Sequence, residues 1–171
     1  MLDAIDKAIL EILQKDCTVT TQQIAKRVGL SHTPCWRRVK KLEQTGVIDR
    51  CVALLNAKKI QADTVIFVTI KTDQHNAEWL EKFATIAMDM PEVVELYRLG
   101  GDIDYLMRVV VPSIRAYDDF YKRLIAQVPI SNVSSFFAME EIKYTTALPL
   151  SHVGKDNKTT IRKKATARQR Y

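Results

Sequence analysis

A small residue at Ala25, a glycine four positions later at Gly29 and a helix-starting cluster from Ser31 to Pro34 leave residues 20–43 few ways to fold. Two helices that cross closely need a small side chain at the crossing, which Ala25 supplies. A sharp turn between them needs left-handed backbone, which Gly29 supplies. Thr20 and Gln23 stand in capping-box spacing ahead of the first of these helices, with Val19 and Ile24 placed to close a hydrophobic staple. The second starts near Ser31 to Pro34, because proline is tolerated in a first turn. Thr33 is its expected cap, since a residue before proline avoids helical geometry. Upstream, Asp3 caps a helix whose Ile5, Ile9, Ile12 and Leu13 share one face. The sequence thus predicts a three-helix, helix-turn-helix head over residues 1–50.

The third helix carries the chemistry. At about 100° per residue, Cys35, Val39 and Leu42 form one buried stripe and Gly46 ends the helix. Thr33, Arg37, Lys40, Lys41 and Gln44 project on the opposite side, flanked by Trp36 and Arg38, with Pro34 in the first turn. These donors suit phosphates and base edges in a major groove, so all eight are candidate contacts to double-stranded DNA. A basic helix face is ordinarily just a solvated face. Attached to the Ala25/Gly29 turn, it is the face a recognition helix must expose. The charge distribution agrees: residues 1–50 carry a net +3, residues 51–150 a net −3 and residues 151–171 a net +6, so a polyanion is expected at the ends and not in the middle.

From residue 60 to 145 strand and helix patterns alternate. Val65 to Ile70 reads as a strand, and Asn76 caps a helix with Trp79, Leu80, Phe83, Ile86, Ala87 and Met90 on its apolar side. Val93 to Leu99 and Tyr105 to Val111 are strands joined by a hairpin. Ser113 caps a helix with Ile114, Tyr117, Tyr121, Leu124 and Val128 on one side, and Val133 to Tyr144 is a fourth strand. The order βαββαβ is a ferredoxin-like unit, so the fold class is α+β. Two helices cover only one face of a four-stranded sheet, yet Thr64 to Ile70 is apolar toward both. A symmetric copy is the simplest cover, so at least a homodimer is expected.

The three cysteines, Cys17, Cys35 and Cys51, lack CxxC spacing and a histidine cluster, so neither a disulfide framework nor a metal site is expected, and each reads as a small buried hydrophobe. His32, His75 and His152 are scattered, with no catalytic spacing, so no enzyme and no cofactor are expected. Two alternatives stay open: a thiol redox sensor through Cys35 at the start of the third helix, and a small α/β enzyme with an incidental basic head. The opening residues do not read as a secretory signal and no apolar run would span a bilayer, so a cytoplasmic, nucleoid-associated protein without membrane contact is expected. Residues 151–171 read as a basic, disordered tail, either solubilising or an auxiliary phosphate-contacting arm.

The stretches Ile24 to Ser31, Arg37 to Glu43, Gly46-Val47-Ile48, Gly101 to Leu106 and Met139 to Lys143 resemble the Lrp/AsnC, or feast/famine, transcription regulators, from about residue 2 to 149. The resemblance implies a winged helix-turn-helix, a hinge strand at about Cys51 to Leu55 within a linker of residues 51–60, and a regulator-of-amino-acid-metabolism (RAM) domain over residues 61–150. It implies dimers assembling further, often to octamers, and an amino-acid effector held between the sheets of paired subunits. By the same resemblance the effector site takes Gly100, Gly101, Asp102, Asp104, Ser135, Phe136 and Phe137. Glycines there let backbone amides reach a carboxylate, and an aspartate pairs with an ammonium. The alternative is that Gly100-Gly101 only makes a turn that Asp102 and Asp104 stabilise. Asp16-Cys17, Thr33 to Trp36, Asp104 to Val109, Tyr121 to Leu124 and Ile142 to Thr146 resemble one proteobacterial branch of the family, for which cysteine is the implied effector.

Overall fold

The computed structural model describes residues 2–74 and 76–153, and the expected basic tail from residue 154 on lies outside them. The chain divides into two units: Met1–Ala53 together with the residues from Tyr144, and Leu54–Lys143. Residues 144–150, which the sequence reading gave to the second domain, thus join the first.

The first unit contains α1 (Ala4–Leu13), α2 (Thr21–Val28) and α3 (His32–Gln44). Each amphipathic face finds the other two: Ile9, Leu10, Ile24, Ala25, Cys35 and Leu42 are buried together. Asp3 and Asp6 form a reciprocal capping box on α1, and Thr20 and Gln23 form one on α2. Gly29 sits at φ 71° in the left-handed region after α2. A side chain at that φ would be strained, although nothing lies within 4 Å of where its Cβ would be. The start of α3 corrects the expectation. Ser31 is the cap, without a side-chain hydrogen bond, and Thr33 is already helical. Pro34 is the third helical residue, where its missing N–H has no intrahelical acceptor to lose. From the far end of the sequence, the Leu148 N–H donates to Gln14 Oε1 at 2.9 Å, Gln14 Nε2 donates to the Leu148 carbonyl at 3.1 Å, and Leu150 packs on the helical core.

The second unit is an antiparallel sheet in the order β2-β3-β1-β4, with β1 Thr64–Lys71, β2 Val93–Arg98, β3 Tyr105–Val111 and β4 Asn132–Phe137. Helices α4 (Ala77–Asp89) and α5 (Ile114–Gln127) pack with it into one core. Ile66, Val68 and Ile70 of β1 and Tyr105, Met107, Val109 and Val111 of β3 are buried there, against Trp79, Phe83, Phe120 and Leu124 of the helices. The α5 stripe differs from the expected one at two positions: Phe120 is fully buried, while Ile114 is 69% exposed. β4 stops at Phe137 instead of Tyr144, because β1, its only neighbour among the described residues, begins at Thr64 and the last bond is Ala138 N–H to the Val65 carbonyl. Cys51 to Leu55 is no strand either, since among the described residues no backbone pairs with it. A short 3₁₀ turn, Ala57–Ile60, follows.

Side chains alternate across strands, so the register assigns the other sheet face to Val65, Phe67 and Thr69, to Leu106, Arg108 and Val110, to Glu95 and Tyr97, and to Ser134 and Phe136. Phe67, Tyr97 and Phe136 are 37%, 51% and 57% exposed on it. The Arg108 guanidinium donates to Glu95 Oε1 at 2.8 Å, which neutralises the charge within this face.

Candidate functional site

α3 is anchored by its apolar side, with Cys35 and Leu42 buried against α1 and α2, and this turns the opposite side outward. Thr33, Pro34, Trp36, Arg37, Lys40, Lys41 and Gln44 are all exposed. Lys40 pairs with Glu43 at 2.6 Å along the helix surface, an exposed pair that exchanges readily for another anion. Arg37 and Lys41, one turn apart, have no ion pair among the described residues. They line a surface depression with Pro34, Arg38, Asp3 and Asp6.

Arg38 behaves differently from its neighbours. Its Nη1 lies 2.7 Å from Asp3 Oδ2 and 2.7 Å from Asp6 Oδ1, so it bridges the recognition helix to the capping box of α1. Arg38, which the sequence places beside the DNA-facing side of α3, thus also ties α3 to the start of α1. The Asp6 backbone N–H, and then the Arg38 guanidinium, hold the Asp3 carboxyl below its ordinary 3.8. A carboxyl with a depressed folded value contributes stability above its unfolded value and loses it as pH falls through the folded one. Arg38→Ala removes part of that depression, so the head is expected to unfold at higher pH during an acid titration below about pH 4. Trp36 fluorescence, with Trp79 replaced by phenylalanine, reads this transition, and an unmoved midpoint would show that the tie is idle.

The expected effector residues divide into three groups. Gly100 and Asp102 are exposed in the β2–β3 loop, and Gly101 holds φ 149°, which a glycine tolerates and other residues rarely adopt. Asp104 turns inward. Its Oδ2 accepts from the Thr72 N–H at 2.8 Å, its own N–H donates to the Ile70 carbonyl at 3.0 Å, and its carbonyl accepts from the Leu99 N–H at 2.8 Å. The loop is thereby tied to the end of β1, the stabilising role weighed for Asp104 above. On β4, Phe136 lies on the helix-free face, beside Phe67 in the register. Ser135 and Phe137 lie on the helix side, where Ser135 Oγ hydrogen-bonds the Tyr117 hydroxyl and the Phe137 ring meets the Tyr117 ring edge-on at 5.5 Å. Burial pushes the Tyr117 phenol up. Within one chain these seven residues therefore do not line one cleft. Tyr117, absent from that expected set, touches two of its members, Ser135 and Phe137, a link that helix periodicity alone does not reveal.

Cys35 is fully buried, and burial raises its thiol above the ordinary 9.0 although Arg38 opposes the shift. A buried, protonated thiol is a poor nucleophile, which weighs against Cys35 as a redox sensor. Among the described residues no cluster of three or more His, Cys, Asp or Glu could hold a metal, and no helix is long and apolar enough to cross a membrane.

Comparison with known proteins matches residues 2–49 to the family described as winged helix-turn-helix DNA-binding and residues 65–148 to the Lrp/AsnC ligand binding domain. The DNA-binding transcriptional activator DecR of Escherichia coli (strain K12) is 50% identical over 151 residues, which cover 88% of this chain and 99% of that one. Among solved structures, an AsnC family transcriptional regulator from Agrobacterium tumefaciens is 55% identical, with a TM-score of 0.87 over 89% of this chain and 99% of its own. A transcriptional regulator from Neisseria meningitidis in complex with L-Met is 32% identical, with a TM-score of 0.85 and the same coverage.

Proposed function

This chain belongs to the Lrp/AsnC family of DNA-binding transcription regulators, and on that premise we propose that it is an amino-acid-responsive switch on double-stranded DNA. The observation that carries the reading is the division of α3, whose apolar stripe is locked in the head core while Arg37, Lys40 and Lys41 face outward. In this reading Thr33, Pro34, Trp36 and Gln44 share the groove-facing surface with those cations, and Arg38 positions the helix. The protein acts in the cytoplasm, associated with the nucleoid, and its role is binding and not catalysis.

The helix-free sheet face carries the second half of the proposal. Phe67, Tyr97 and Phe136 are too exposed for a chain that works alone, and a second copy turned about a twofold axis covers them with the same surface. Dimers built this way assemble further, up to octamers. The effector is an amino acid seated where the Gly100 to Asp104 loop meets the paired sheets. Gly100, Gly101 and Asp102 remain available to it, whereas Asp104 shapes the loop and Ser135, Phe136 and Phe137 set the sheet around it. Methionine is a candidate because a similar protein was solved with it, and cysteine because the branch resemblance implies it. The runs 1–50, 51–60 and 61–150 remain the proposed head, linker and effector regions, with residues 144–150 shared structurally with the head.

The test is a thermal-shift screen with the twenty amino acids, followed by promoter-fragment titrations with and without each hit. A ligand at 100 times its dissociation constant adds about 2.7 kcal/mol, and coupling of the usual size moves DNA affinity by about 5- to 150-fold. DNA binding that ignores ionic strength would overturn the DNA half of this reading. A screen without a single hit would overturn the effector half alone.

A further inference from the structure

The chain that follows β4 returns to the head and docks there in a fixed register. Gln14 caps α1 at its C-terminal end, and its side-chain amide offers the same donor and acceptor as a peptide group. Leu148 meets both, its N–H donating to Gln14 Oε1 and its carbonyl accepting from Gln14 Nε2. The neighbouring Pro149 has no N–H and could not take the place of Leu148, and a residue before proline favours extended backbone. Upstream, the Ala147 N–H donates to Thr145 Oγ1 at 3.1 Å, and downstream the Val153 N–H donates to the Leu150 carbonyl at 3.2 Å. The Leu148 side chain is 72% exposed, whereas Leu150 packs on the helical core. Residues 144–150 are thus a strap held by backbone at Leu148 and by a side chain at Leu150.

The helix that receives the strap is tied at its other end to α3. Asp3 and Asp6, at the start of α1, each hold the Arg38 guanidinium at 2.7 Å. α1 has ten residues, about 15 Å of helix, with Ile9 and Leu10 buried in the core it shares with α3. A displacement of its C-terminal end therefore reaches Arg38 as a change of tilt.

We propose that Gln14 and Leu150 are positioning residues for DNA binding. By seating the strap they fix the tilt of α1, and through Arg38 they fix that of α3, so that its exposed face meets a groove at one angle. Neither residue touches DNA. A phosphate contact needs only charge nearby and tolerates a small change of angle, whereas a bidentate base contact does not. The strap thus governs discrimination between sequences more than binding to duplex as such. Residues 138–143 join it to β4, which gives the second unit a covalent line to the reading helix.

The experiment measures fluorescence anisotropy of the full-length protein with two probes: a duplex that this protein selects from a random-sequence library, and a scrambled duplex of the same composition. Gln14→Ala, which leaves the core untouched, and Leu150→Ala are each expected to weaken binding to the selected duplex about tenfold, the scale of one lost base contact. Binding to the scrambled duplex should stay within about twofold, with an unchanged salt slope, and the volume-conserving Leu150→Met should restore discrimination. Combining Gln14→Ala with Arg38→Ala should cost no more than Arg38→Ala alone, because the path is already cut. Additive losses, equal losses on both duplexes, or unchanged affinity would overturn the proposal. It rests on α3 as the DNA-facing helix, so the variant with Arg37, Lys40 and Lys41 replaced by alanine is measured beside these. If that variant loses affinity and Gln14→Ala does not, the strap alone fails; if that variant binds as the parent does, both readings fail.

Discussion

Replacing Arg37, Lys40 and Lys41 together with alanine is expected to weaken promoter binding by more than a hundredfold while leaving thermal stability nearly unchanged. All three side chains are exposed on the side of α3 that faces away from Cys35 and Leu42. Surface substitutions of this kind usually change stability by about 0.5 kcal/mol or less, and among the described residues the only ion pair lost is that of Lys40 with Glu43. On DNA the losses accumulate. A cation that reads a base is worth about 1 to 3 kcal/mol, and each one that neutralises a phosphate contributes about 0.9 to the slope of log affinity against log salt. Fluorescence anisotropy at several salt concentrations separates the two kinds of contact. A uniform loss across promoter fragments with a shallower slope marks phosphate contacts, and a loss confined to specific sites marks base reading. Unchanged affinity on every fragment would mean that DNA meets another surface.

A chain carrying Phe67→Asp and Phe136→Asp is expected to be a folded monomer at micromolar concentration. The two rings are directly paired across β1 and β4, on the face that no helix covers. In a twofold interface every substitution acts twice, so four rings are lost from one contact. Burying a phenylalanine is worth about 1.5 to 3 kcal/mol, which puts the combined loss at about 6 to 12 kcal/mol, or at least four orders of magnitude in dissociation constant. Placing four carboxylates in an apolar contact adds a desolvation cost. The helix-side residues Ile66, Val68 and Ile70 remain untouched, so far-UV circular dichroism should match the parent. Sedimentation equilibrium decides, and a parent-like mass for the variant would place the dimer contact elsewhere.

What was legible in the sequence is what is local. The Asp3 cap, the Thr20/Gln23 box and the left-handed Gly29 depend on neighbours three or four residues away, and α2 and its turn follow from them. The strands β1 and β3 declare themselves by apolar runs rich in β-branched residues. The features that stayed hidden need a partner distant in sequence. Asp3 reads as a cap, but nothing in the spacing says that Arg38 closes on it and on Asp6. Asp104 reads equally well as a ligand group or a turn group until the Thr72 N–H is found against it. Val133 to Tyr144 reads as one strand, yet strand length is set by the neighbour, and β1 runs out first. On α5, Tyr117, Leu124 and Val128 are buried and Tyr121 packs on the core as the stripe expects, but Ile114 stays exposed and Phe120 fills the core.

The head is not finished when residue 53 has been added to the growing chain. Gln14 waits for the backbone of Leu148, and the helical core waits for Leu150, while Leu54–Lys143 lies between in the order of synthesis. On the ribosome the last contacts of the head are therefore synthesised only after the whole of the second unit.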